Sequence, residues 1–142
     1  MRTGRKKVAV TTIAVFVIAF GAIAHPNEAE QKKISHQRTF EVFETSLERD
    51  DYPGIIESTI YTIVLYKNRY PELNYSRLMS TLNQVALDNK DSSISYKARL
   101  ASLYLSYSAG IEITPVVHAL DHEYLFRQIS KQLEQKFLAS HE

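Results

Sequence analysis

The chain of 142 residues contains no cysteine. This absence excludes disulfide bonds, thiolate metal ligands, a cysteine nucleophile and a lipid-modified cysteine that would hold the protein on a membrane. The folded state must therefore be stabilised by a hydrophobic core. A domain of this size buries about two-thirds of the surface that its unfolded chain exposes, which is enough for a core without cross-links.

The sequence also lacks the short motifs that carry common catalytic chemistry. It has no G-x-S-x-G nucleophile elbow, no glycine-rich phosphate loop and no H-E-x-x-H zinc motif. The carboxylates of Glu41, Glu44 and Glu48 lie one helical turn apart, which is typical of a solvated helix face. We therefore predict no catalytic residue, no cofactor and no enzymatic activity.

The first 24 residues have the pattern of an export signal. Residues 1–7 carry basic side chains and no acid, and residues 8–24 are uncharged and end in Ala22-Ile23-Ala24, which is typical of a signal-peptidase site. This run is shorter than the roughly 20 apolar residues that span a bilayer. The sequence predicts a signal peptide at 1–24, cleaved before His25. The alternative is an uncleaved N-terminal membrane anchor, the only membrane association that we expect.

Either alternative exports residues 25–142 to the periplasm or the extracellular space. Without residues 1–24 the count is 13 Lys and Arg against 16 Asp and Glu, since 17 minus 4 leaves 13, so the net charge is minus 3 with neutral histidines. A mildly acidic domain lacks the positive field that DNA or RNA binding requires. The composition therefore excludes a nucleic-acid partner.

Apolar residues recur with helical spacing from Ile34 onward, and no strand pair is predicted. We expect a flexible segment at 25–33 and a single helical domain at 34–142, with the first helix reaching back to residue 28. The predicted helices cover 28–48, 53–68, a segment from 75 to the Asp88 region, 93–108, and much of the chain after Pro115. Their apolar faces are His36, Phe40, Phe43 and Leu47; Tyr52, Ile55, Ile56, Thr59, Ile60, Ile63 and Val64; Tyr75, Leu78, Met79, Leu82, Val85 and Ala86; and Phe126, Ile129, Leu133 and Phe137.

The fourth predicted helix is apolar on two sides, which places it in the middle of a helical stack. The fold class is therefore all-α, with four to five antiparallel helices arranged as helical hairpins. Helix starts recur at an offset of about forty residues, from Pro53 to Ser93 and from Tyr75 to Pro115. This offset leaves two architectures open, an ordinary bundle or a short helical-repeat-like stack.

His118, Asp121 and His122 form the one cluster with metal-ligand chemistry. Their pattern H-x-x-D-H resembles the H-x-x-E-H motif of the inverzincin proteases, with Asp121 where that family has glutamate. An aspartate is shorter, and it also fits a helix cap that would separate the two histidines. We predict no metal site, and keep these residues as candidates for a third hypothesis, a metal-dependent hydrolase.

Tyrosine gives contact area with a polar tip and is enriched at interfaces. Tyr61, Tyr66 and Tyr70 lie off the main stripe of the second helix, so they are the candidate surface for a protein partner. His36 heads an apolar stripe and is expected to be a partly buried histidine. Together these features predict a protein-binding or adaptor module. The alternative is a binder of a lipid or other apolar ligand, lined by the apolar faces of the second and fourth helices.

Overall fold

The computed structural model describes residues 27–49, 51–114 and 122–140, which form five α-helices and no strand. The helices are α1 (Glu28–Leu47), α2 (Pro53–Arg69), α3 (Ser76–Asp88), α4 (Ser92–Tyr107) and α5 (His122–Ala139). The predicted all-α fold class is confirmed. The predicted signal peptide, His118 and Asp121 lie outside the described residues.

Local polar chemistry fixes where the helices begin. The Asn27 side chain accepts a hydrogen bond from the Ala29 N–H at 2.7 Å, and Asp91 accepts one from the Ser93 N–H at 2.8 Å. These bonds satisfy amide groups that have no partner within the first turn of a helix. Pro53 opens α2, where its missing N–H is not needed.

The observed boundaries differ from the predicted ones by about one residue at most described ends. At the start of α3, the Asn74 side chain accepts a hydrogen bond from the Ser76 N–H at 2.9 Å, while Tyr75 occupies the cap position itself. Residues 28–33, which fall within the segment expected to be flexible, are the exposed first turns of α1. None of the five described helices has the length and apolar character that crossing a membrane requires.

Helix α4 lies at the centre of the arrangement, as its two apolar sides predicted. It contacts α2, α3 and α5, while α1 contacts α2 and α3. The first four helices therefore form a closed ring of neighbours, with α5 packed against α4. The buried apolar residues come from all five helices, from the residue just before α3 and from the segment after α4: Phe43, Leu47, Ile56, Ile60, Ile63, Val64, Tyr75, Leu78, Leu82, Ile94, Ala98, Leu100, Ala101, Tyr104, Leu105, Ile111, Ile113, Leu125, Phe126, Ile129 and Leu133.

The predicted α2 stripe is wrong at its N-terminal end. Tyr52 is 58% exposed and Ile55 is 37% exposed, whereas Ile56 and Ile60 are buried. Tyr52 precedes the helix and Ile55 lies in its first turn, so both project at the end of the bundle where no neighbouring helix covers them. Lys67 extends the buried stripe at the other end of α2 instead.

The chain leaves α4 through a tight turn at Gly110, whose φ of 79° is the left-handed conformation that glycine adopts readily. Ile111 and Ile113 then point into the core. Between them, the backbone N–H of Glu112 donates to the Gln132 side chain at 3.0 Å, and its carbonyl accepts from Gln132 Nε2 at 2.6 Å. These two bonds attach the segment after α4 to α5.

Candidate functional site

The three tyrosines predicted as one partner surface lie in two separate contacts within the chain. Tyr66 and Tyr70 are half-buried beside α1, and the Tyr66 hydroxyl lies 2.5 Å from Nδ1 of His36. Tyr61 stacks instead on His122 of α5, with ring centroids 4.2 Å apart. Five residues along an α-helix rotate the side chain by about 140°, so Tyr61 and Tyr66 face different neighbours. A single surface made of all three tyrosines is therefore not formed, and His36 is partly buried as expected.

Buried polar groups surround the end of α2. The Tyr75 hydroxyl donates to the carbonyls of Tyr66 and Tyr70 at 3.2 and 3.0 Å, and Lys67 Nζ donates to the Pro71 carbonyl at 2.8 Å. Burial raises the pKa of Tyr75, and burial lowers the pKa of Lys67 despite the nearby charge of Glu72. The Tyr75 hydroxyl and the Lys67 amine both have backbone partners, so this cluster closes the turn between α2 and α3.

Lys97 is the second charged centre, and its side chain is only 5% exposed. Its ammonium group contacts the carboxylates of Glu57 on α2 and Glu123 on α5. Burial alone would lower the pKa of Lys97, but hydrogen bonds and charge from Glu123 and Glu57 outweigh burial and raise this pKa above its ordinary value. A lysine that stays protonated at neutral pH is a poor nucleophile or base. The cluster therefore joins three helices and does not resemble a catalytic amine.

The metal candidates are only partly within the described structure. His122 begins α5 and its ring stacks on Tyr61, while His118 and Asp121 lie outside the described residues. Across residues 27–49, 51–114 and 122–140, no group of three His, Asp or Glu side chains is placed to hold a metal ion.

The faces of α2 and α4 that would line an apolar-ligand site pack against each other. Ile60, Ile63 and Val64 of α2 have no accessible surface, and neither do Ala98 and Ala101 of α4. A cavity large enough for a ligand would leave accessible surface on the side chains around it. These residues therefore belong to the hydrophobic core.

A groove of about 800 Å³ lies where α1 and α3 end and α2 and α4 begin; we call it the end groove. Its volume is within the range of about 300–1,000 Å³ that is typical of ligand pockets. By comparison, a depression of about 500 Å³ on α1 is lined by that helix alone. The end groove is lined by Leu47, Glu48, Asp51, Pro53, Ser80, Thr81, Gln84, Val85, Asp88, Asn89, Lys90 and Asp91.

The lining of the end groove combines apolar contact with free polar groups. Pro53 and Val85 supply the accessible apolar surface, whereas Leu47 is only 2% exposed and contributes little to it. The side chains of Glu48 and Asp51 are exposed and have no hydrogen bond or ion pair to any described residue. Polar groups that lack a partner inside the protein are available to a ligand, so this groove is the best candidate binding site.

The sequence pattern did not reveal the end groove. Its residues belong to helix ends and loops that are far apart in the chain, and most of them are the polar residues expected in turns. One signal was present, since acidic residues accumulate in both the 48–51 and 88–91 segments. Periodicity alone cannot show that these two segments meet.

Comparison with protein-family models, with curated proteins and with solved structures found no match for this chain.

Proposed function

We propose that this chain is an exported protein-binding or adaptor module, and that the end groove holds a segment of its partner. The observation that carries the proposal is the lining of this groove, where apolar side chains lie beside the unpaired carboxylates of Glu48 and Asp51. A pocket with an apolar lining and a few free polar groups is the usual form of a binding site. The other polar centres described above are already bonded to neighbouring helices and loops.

Export is supported by the basic start, the uncharged run and the Ala22-Ile23-Ala24 pattern of residues 1–24. A partner would then be met in the periplasm or outside the cell. The lack of cysteine suits either location, because no thiol is exposed to oxidation there.

The groove is tested by placing a photo-cross-linking amino acid at Ser80, an exposed lining residue, in the full chain expressed in its own host. We expect Ser80 to capture one protein, identified by mass spectrometry in independent preparations. The matched position is Ser35, which is exposed on α1 and lines the other depression. We expect the partner to be captured from Ser80 and not from Ser35. The intact mass of the recovered chain should match a protein whose first residue is His25.

A second variant makes the result specific to the groove. Gln84→Trp fills the end groove with a bulky ring, whereas Ser35→Trp adds the same ring on α1. We expect Gln84→Trp to abolish the cross-link from Ser80 and Ser35→Trp to leave it unchanged, with both variants still helical by circular dichroism. An unchanged cross-link in Gln84→Trp, or equal capture from both positions, would contradict the proposed site.

A further inference from the structure

The end groove carries an excess of negative charge. Its lining includes the carboxylates of Glu48, Asp51, Asp88 and Asp91, against the single ammonium group of Lys90. Four acids and one base give a net charge of minus 3 for the lining, although the described chain as a whole has interspersed signs. A ligand that is itself anionic would be repelled from this groove.

The helix ends add to this negative field. Helix α1 ends at Leu47 and α3 ends at Asp88, and both terminal residues line the end groove. The carboxyl end of a helix carries a partial negative charge that favours cations. Neither α1 nor α3 has a basic residue in its last turn, whereas α2 has Lys67 and Arg69 and α5 has Lys136. No basic side chain in the last turn of α1 or α3 therefore offsets these partial negative charges.

The positive ends of α2 and α4 also reach the groove, but they offer few free donors. Asp91 already accepts hydrogen bonds from the first turn of α4, at 2.8 Å from the Ser93 N–H and 3.2 Å from the Ile94 N–H. In α2, Pro53 has no N–H, and the Ile55 N–H donates to the Tyr52 carbonyl at 2.9 Å. Cations are consequently favoured over anions at this site.

We infer that the end groove binds a cationic segment of a partner protein, in which lysine or arginine side chains flank an apolar residue. This inference rests on the proposed function and names the chemistry of its partner. Pro53 and Val85 would contact the apolar residue and the aliphatic stems of the basic side chains, while Glu48 and Asp51 pair with their charged ends. Such a segment matches both the charge and the apolar part of the lining.

The test uses the protein purified after expression of the full chain and measures fluorescence polarisation of dye-labelled peptides. The peptides share one apolar sequence and carry paired Arg, paired Gln or paired Glu. We expect the Arg peptide to bind about tenfold more tightly than the Gln peptide, the difference to shrink as salt is added, and the Glu peptide to bind most weakly.

Matched charge variants locate the effect. Glu48→Gln combined with Asp51→Asn should weaken the binding of the Arg peptide by roughly tenfold and leave the binding of the Gln peptide unchanged. Glu30→Gln combined with Glu134→Gln removes the same number of carboxylates from exposed positions outside the groove lining. This control should change the affinity for either peptide by no more than about twofold. Equal losses in both double variants would mean that the overall charge of the protein, rather than the groove, attracts the peptide, and would overturn the inference.

Two outcomes separate this inference from the proposed function. If Ser80 captures a partner but the Arg and Gln peptides bind equally, the groove binds protein without preferring cations, so only the inference fails. If spermidine competes as well as the Arg peptide, the site recognises a small free cation and the protein-segment inference is overturned. Failure of the cross-linking experiment contradicts the proposed function whatever the peptides do.

Discussion

Lys67 and Lys97 are two lysines whose side chains end among buried groups, and they are accommodated in different ways. Lys97 is paired with Glu57 and Glu123, so its charged form is stabilised and its pKa is raised. Lys67 donates to a carbonyl and lies 4.7 Å from the Tyr75 ring centroid, so burial dominates and lowers its pKa. A buried lysine is therefore tolerated at both sites, but only Lys97 has carboxylate partners.

The contribution of Lys97 is measured by Lys97→Met, which keeps an unbranched side chain in the core and removes the charge. We expect the free energy of unfolding to fall by about 1 to 2 kcal/mol, because two charge-assisted hydrogen bonds are lost while both glutamates can still reach water. The control is Lys32→Met on the exposed start of α1, which should change the free energy of unfolding by less than about 0.5 kcal/mol. Urea denaturation measures the free energy of unfolding of both variants. A Lys97→Met protein as stable as the parent would mean that desolvation of Lys97 cancels its ion pairs.

The helix ends are fixed by single residues, and two glycines illustrate opposite requirements. Gly54 lies in the first turn of α2 with a normal helical backbone, whereas Gly110 closes the turn after α4 with a φ of 79°. Apart from the neighbouring backbone, no atom lies within 4 Å of the place that a Cβ would occupy at either position, so steric contact does not distinguish the two sites. Backbone conformation alone should decide the effect of adding a methyl group.

Gly54→Ala and Gly110→Ala therefore form a matched pair of opposite sign. We expect Gly54→Ala to raise the free energy of unfolding by about 0.5 kcal/mol, since alanine loses less backbone entropy in a helix. Gly110→Ala should lower it by about 1 kcal/mol, because an L-residue is strained in the left-handed region. Thermal melts followed by circular dichroism measure both changes. Two shifts of the same sign would contradict this account of the turn.

The molecule as a whole contains several groups that hold their protons more tightly when folded. Burial raises the pKa of the Tyr75 and Tyr104 hydroxyls, and Glu123 and Glu57 raise the pKa of Lys97 against the effect of burial. A raised folded pKa stabilises the fold below the pKa of the unfolded chain, and this stabilisation is lost as the pH rises through the folded value. Lys67 acts in the opposite sense, since its lowered pKa makes its burial less costly as the pH rises.

We accordingly expect alkaline destabilisation of the whole fold. The midpoint of urea unfolding should be nearly constant from about pH 7 to pH 9 and should fall above about pH 10, where unfolded tyrosines and lysines lose protons before the folded ones do. Parallel measurements on Tyr52→Phe provide a control, because this substitution removes one tyrosine hydroxyl from a residue that is 58% exposed and lies outside the core. A midpoint that stays level to about pH 11 would show that the three raised groups do not control stability there.

Much of the fold could be predicted because its causes are local. The helical class, the apolar stripe on α3 and the central place of α4 follow from the spacing of apolar residues three and four positions apart. Asp91 marks the start of α4 because its side chain accepts hydrogen bonds from the first turn, and Pro53 marks the start of α2, where its missing N–H is not needed. Tyr52 and Ile55 were wrongly placed in the core, since periodicity does not say where a neighbouring helix stops. Periodicity likewise does not say which helix each candidate tyrosine contacts, so it could not show that Tyr61 meets α5 while Tyr66 meets α1.

The sequence by itself determined that this chain is helical, which faces of its helices are apolar, and that no disulfide can stabilise it. Only the tertiary structure decided that Glu57 meets Lys97 and that the acidic segments after α1 and α3 line one groove. The physical reason is the distance along the chain over which each kind of interaction acts. Helix formation depends on hydrogen bonds between residues four apart, whereas a groove at helix ends depends on which helices pack side by side and where each one ends.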